Sequence, residues 1–255
     1  MLQSLQGFYA QALNYIPISN IPELGFLSVI LTADLVKIEL KNVSAVSTPS
    51  LIGYGAMRDH CHDFTASFVG GKAYGLIGEC GSGGWTFSHI LAGCNKYGYE
   101  GQISFNGKIM SKVDLNELGW YIGEGINKNR WFTFRKPSII KQLKSGQDDQ
   151  IDRLIERFQL SPSRLDRNIE MISNERWNAS AAIGLAHGKL VFGYPWLSPG
   201  LINTYLYERI KLINEILKET GATVLLPTSR IDVIQGLVDE TIEIIHPDEK
   251  IIRNV

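Results

Sequence analysis

The chain has 255 residues, 44% of them hydrophobic and 20% charged, which excludes a disordered polymer and is enough to bury one large α/β core or two small ones. Its 25 Lys and Arg against 26 Asp and Glu leave a net charge of -1, so charge gives no reason to expect nucleic acid or an anionic lipid surface as a partner. Cys61, Cys80 and Cys94 are too few, and odd in number, for a disulfide framework, and they fit a reducing cytoplasm.

Residues 1–17 contain no Lys or Arg and so lack the charged start of a secretory signal. The apolar stretch at 24–36 is interrupted by Asp34 and is too short to span a bilayer, so the expected location is cytoplasmic, peripheral to the membrane at most. Leu2, Leu5, Tyr9, Ala12 and Leu13 fall at helical spacing. They predict a short amphipathic helix in an N-terminal extension, residues 1–35, packed on its own domain or docked on a partner.

Residues 36–43 alternate apolar and polar, the pattern of a half-exposed strand, before turns marked by Pro49, Gly53 and Gly55. A second strand is expected at 64–68, closed by Gly70 and Gly71. A short apolar strand at 73–77 then runs into the glycine loop 78–84. Beyond it Trp85, Phe87, Ile90 and Leu91 start a helical stripe. Strand, glycine loop, helix is the context in which backbone N–H groups and a helix N-terminus surround a phosphate.

Further on, Ile151, Leu154, Ile155 and Phe158 mark one face of a helix, and 179–186 is small and apolar enough for a helix packed closely on a sheet. Buried strands are expected at 189–192 and 222–226, a long helix at 201–220 between them, and an edge strand at 241–245. Helices alternating with short apolar strands predict an α/β fold with a mostly parallel sheet.

The order of these pieces resembles an ABC-transporter ATP-binding cassette over residues 36–250. Residues 69–84 resemble that family's strand and Walker A loop, 99–108 the strand and turn after its first helix, and 164–175 the lead into its signature motif. Residues 190–195 resemble its Walker B strand with Pro195 in register, and 223–229 the strand that ends at its switch histidine. The resemblance implies a P-loop NTPase-like α/β cassette with a mostly parallel central sheet, an antiparallel β subdomain and a helical subdomain at about 125–185.

Against that pattern the chemistry is missing. The candidate nucleotide-binding residues are Gly78, Gly81, Ser82, Gly83, Gly84, Trp85 and Thr86. Where the family's loop has a lysine to reach the β and γ phosphates this chain has Gly84, and where it has a Mg²⁺-ligating hydroxyl this chain has Trp85, which offers a hard cation no oxygen. Thr86 keeps a hydroxyl one residue later, expected to bond within the first helical turn. The two Walker B acids read Gly193 and Tyr194, the sensing glutamine reads Glu124, and the switch histidine reads Ser229, followed by Arg230. The signature reads Ser173, Asn174 and Glu175, and Glu175 is expected to place a negative charge where an opposed monomer's phosphate would lie. Tyr54 is a candidate for the adenine-stacking aromatic. No residue is assigned a catalytic or a metal-binding role, and intrinsic ATPase activity is not expected. ATP is the one cofactor the resemblance suggests, and a weak one here.

Three other clusters draw attention. His60, Cys61, His62 and Asp63 are adjacent, so on a strand they point to opposite faces and cannot converge on one ion; a polar turn before a strand is expected. Cys80 lies in the glycine loop near a helix N-terminus, where a thiol's pKa can fall; a small residue that fills the loop is expected, with a reactive thiol as the alternative. Arg130 and Arg135 flank Trp131, Phe132 and Phe134 in a region that, by the resemblance, faces a membrane partner; a core segment with a solvated rim is the other reading. The function expected is a degenerate ABC ATP-binding subunit, a structural or regulatory partner of a membrane permease, of a homo- or hetero-dimeric cassette, or of both. The alternatives are a nucleotide-binding subunit of a composite dimer and a scaffold or regulator that reuses the fold.

Overall fold

The computed structural model describes residues 36–48, 50–51, 55–56, 58–95, 98–126, 137–146, 151–173 and 175–244. The predicted N-terminal helix, Tyr54, Asn174 and the run from Arg130 to Arg135 lie outside them.

Two main sheets and one helix between them set the position of the glycine loop. The first sheet is antiparallel. Its strands are β1 (Lys37–Ser47), β4 (Asp59–Val69), β6 (Glu100–Phe105) and β7 (Lys108–Ile109), in the order β4-β1-β6-β7. A small ribbon of β2 (Ser50–Leu51) and β3 (Gly55–Ala56) connects β1 to β4. The second sheet has five strands, all parallel: β5 (Ala73–Ile77), β8 (Gly119–Tyr121), β9 (Val191–Gly193), β10 (Thr223–Thr228) and β11 (Glu240–Glu243), in the order β11-β5-β10-β9-β8. A parallel sheet needs cover on both faces, and the alternation along β10 supplies it: Leu225 faces one core while Val224 and Leu226 face the other.

Helix α1 (Gly84–Leu91) lies between the two sheets, burying Phe87, Ile90 and Leu91 with Ile38, Leu40 and Ile103 above and Tyr74 and Leu76 below. The opposite face of the parallel sheet carries α5 (Arg176–Ala186) and α6 (Tyr207–Glu219). The small residues at 179–186 do allow close approach: a Cβ on Gly184 would sit 2.6 Å from Trp120 Cγ and 2.7 Å from Phe192 Cε1. The predicted long helix at 201–220 changes type along its length, with a π-helical stretch at Ile202–Leu206 before α6. The shorter helices are α2 (Lys112–Leu118), α3 (Ile139–Lys144) and α4 (Ile151–Arg157). The Ser111 side chain caps α2 in a reciprocal box with Asp114.

The second predicted strand starts earlier than 64. His60, Cys61, His62 and Asp63 belong to β4 itself rather than to a turn before it, and Cys61 is buried. Among the described residues no group of three or more His, Cys, Asp or Glu could hold a metal ion, and no helix is long and apolar enough to cross a membrane.

Candidate functional site

Strand β5 delivers the chain to Gly78, whose N–H donates to Thr228 O at 2.9 Å, while Gly78 O accepts from Trp196 Nε1 at 3.1 Å. The loop then folds on itself, with Ser82 Oγ donating to Glu79 O at 2.7 Å, and enters α1 at Gly83. Gly83 has φ 107°, the left-handed region, and a Cβ there would lie 2.7 Å from Cys61 Cβ and 2.8 Å from His60 O. Only glycine combines that backbone with so close an approach of β4.

That approach brings in a residue the sequence reading passed over. Asp59, at the start of β4 and only 2% exposed, accepts from Gly83 N–H at 2.9 Å through one carboxylate oxygen and from Thr86 N–H at 2.6 Å through the other. A helix N-terminus has orphan donors and a positive dipole end, and here the chain's own carboxylate takes two of those donors. Thr86 Oγ1 donates to Asp59 O at 2.8 Å, so its hydroxyl is bonded to the neighbouring strand and not within the first turn as expected. Cys80 is half-buried in the same loop. Burial, and after it the charges of Asp59 and Glu79, push its thiol above the ordinary value.

Trp85 is buried, and its indole N–H donates to the hydroxyl of Tyr121 at the end of β8. Burial pushes the Tyr121 phenol well above its ordinary value, so it stays a neutral partner. His89, one helical turn on from Trp85, packs edge-on to Tyr121 with ring centroids 4.6 Å apart, and its Nδ1 lies 3.1 Å from Ser47 Oγ. An aromatic cluster thus fills the space beside the loop.

At the end of β9 the two positions expected to carry acids are closed. A Cβ on Gly193 would stand 2.8 Å from Ser88 O and 3.0 Å from Ser88 Cα, because the backbone of α1 rests directly on this strand. Tyr194 points away from the loop into the core. It is fully buried, stacked against Trp177 at 6.1 Å, and its hydroxyl donates to Asn214 Oδ1 at 3.1 Å. Gly84 is crowded too, with a Cβ position 3.1 Å from Pro227 Cβ. Arg230 donates to Asp232 Oδ1 at 2.9 Å, a local pair beside Ser229. Glu124 is exposed, and with Cys94, Trp120, His187 and Lys189 it lines a shallow hollow at the far side of Tyr121.

Glu175 overturns its expected role. It is turned into the chain, accepting from Ser161 N–H at 3.0 Å and Ser161 Oγ at 2.6 Å, with Arg164 NH1 at 3.2 Å. Burial raises its carboxyl, but the two Ser161 donors and Arg164 outweigh that and hold it below the usual carboxylate range. The ionised form is therefore the one folding favours. Its contribution is present at neutral pH and disappears as pH falls through the folded value. Replacing Glu175 with Gln should cost about 1–3 kcal/mol at pH 7 in urea unfolding, and the gap from the unsubstituted chain should close below about pH 4. A gap of constant size across that range would contradict the charged pairing.

The order of strands around the glycine loop, with a helix threaded between an antiparallel and a parallel sheet, decides the fold. The chain has the ABC-cassette fold. Solved structures bear this out. The cassette cbiO1 of Clostridium perfringens, part of the ABC transporter complex cbiONQ, superposes with a TM-score of 0.58 at 17% identity, covering 85% of this chain and 91% of that one. The dimeric bacterial ABC transporter cassette MJ0796 gives a TM-score of 0.56 at 15% identity over 81% of this chain and 94% of its own. In sequence, an ABC transporter ATP-binding protein of Mycoplasma pneumoniae, the MG014 homolog, is 29% identical over 115 residues. That match spans 45% of this chain and only 17% of the relative. No family model matches the chain.

The residues around the loop of this cassette fold do not suit a magnesium nucleotide. The amides of Gly83 and Thr86 are already bonded to an anion, Trp85 brings no oxygen, and Gly193 has no room for a ligand.

Proposed function

We propose that this chain is a catalytically degenerate ATP-binding subunit of an ABC transporter, acting through its shape as a structural or regulatory partner of a permease, of a competent cassette, or of both. It works in the cytoplasm, peripheral to the inner face of the membrane. Residues 1–35 form an extension to the cassette domain at 36–250, and about 125–185 form its helical subdomain. The observation that carries this reading is the state of β9: the acid positions are occupied by a glycine pressed onto Ser88 and a tyrosine built into the core, while both sheets of the cassette keep their apolar framework. Phosphoryl transfer is nearly all positioning and charge stabilisation, and this loop has Gly84 and Trp85 where the family keeps its lysine and its metal-ligating hydroxyl.

Two measurements test the proposal. The purified chain with millimolar Mg-ATP should release phosphate no faster than a protein-free blank, whereas turnover abolished by substitutions in residues 78–84 would refute degeneracy. Affinity capture from solubilised membranes should recover a permease or a second cassette, and recovery of neither would refute the transporter role.

A further inference from the structure

We infer that Asp59 closes the glycine loop to phosphate: the chain's own carboxylate sits in the anion seat of the loop, so that the loop excludes phosphate by occupation and charge and not only because a lysine is missing. Three observations carry this. The side chain comes from a different element, 24 residues before Gly83, and is all but fully buried. It uses both oxygens, one on Gly83 N–H and one on Thr86 N–H, as an oxygen-rich anion at a helix N-terminus would. The approach is fixed on the strand side as well, since Thr86 Oγ1 holds Asp59 O at 2.8 Å and Gly83 is packed against His60 and Cys61. A phosphate arriving at the same amides would meet a second anion in a buried site, where like charges repel strongly. The loop keeps positive-φ glycines at 81 and 83 and the helix behind them, so removing the carboxylate frees the amides of Gly83 and Thr86.

This inference rests on the reading of the loop as degenerate, but it fails separately. Inorganic pyrophosphate is the probe, titrated by calorimetry and read again as a shift in Tm. The wild-type chain should show no saturable binding at millimolar pyrophosphate. Asp59→Ala, which removes the carboxylate and opens the seat, should bind at least tenfold more tightly than wild type and gain Tm on adding the probe. Asp59→Asn keeps the size and one acceptor but loses the charge, and should fall between the two. It also supplies the measurement if the alanine variant does not fold. Equal binding by wild type and variants, or none by either variant, overturns the role of Asp59 while leaving the transporter reading standing. ATP turnover by the wild-type chain would overturn that reading instead.

Discussion

Gly193→Asp, the change that would put an acid back at the end of β9, should destabilise the protein and yield no ATPase. The Cβ alone would lie 2.8 Å from Ser88 O and 3.0 Å from Ser88 Cα, distances that force α1 off the sheet. Overpacking a core by a few atoms costs about 1–3 kcal/mol, and an unpaired buried carboxylate adds to it, so about 3 kcal/mol or more is expected. For a chain of this size that is a fall in Tm of about 6–12 °C. Gly193→Ala should show much of the loss, since it makes the same steric contact without the charge. If Gly193→Asp melts where the unsubstituted chain does, α1 is not seated on β9 as described.

Trp85→Ser, which would restore a metal-ligating hydroxyl, should be equally costly. The indole is 2% exposed, packs with Ala92 and Tyr121, and gives its N–H to the Tyr121 hydroxyl. Deleting a buried tryptophan side chain costs about 3–5 kcal/mol, with part of the loss set by how far the cavity relaxes. Trp85→Phe should recover most of the packing and leave the Tyr121 hydroxyl without its donor, a residual cost of about 1 kcal/mol. Chemical denaturation of the two variants separates packing from hydrogen bonding. Comparable midpoints for serine and wild type would mean that the aromatic cluster does not hold the site shut.

The framework was legible because it is written in local pattern. Alternation at 36–43 and the apolar runs at 73–77 and 222–226 match β1, β5 and β10, and the stripe from Ile151 matches α4. The glycine loop could be placed because its strand and helix flank it directly in the chain. What occupies the loop could not. Asp59 stands in a polar stretch that no spacing rule links to Gly83, and only the pairing of β1 with β4 carries it to α1. Glu175 was misplaced for the same reason: its partners Ser161 and Arg164 are brought to it by the fold around α4 and α5. The vacancy at Gly193 reads in sequence as a missing acid, whereas its physical content is contact with a helix backbone a hundred residues earlier. Side-chain identity reveals a lost group, but not what has moved into its place.

The strand order has a consequence for how the chain is made. Both sheet neighbours of β5, β10 and β11, lie C-terminal to it, the nearer beginning at Thr223 while β5 ends at Ile77. At ribosomal rates the intervening stretch takes about 7–30 s to synthesise. During that interval β1, β4 and β6 have their sheet partners, but the apolar strand leading to the glycine loop has no neighbouring strand. A truncated translation product should therefore display the unpaired edges of β5 and the face that carries Ala73 and Ile77, whose buried packing partners lie from Ile122 onward, to chaperones, and the loop should acquire its shape among the last events of folding.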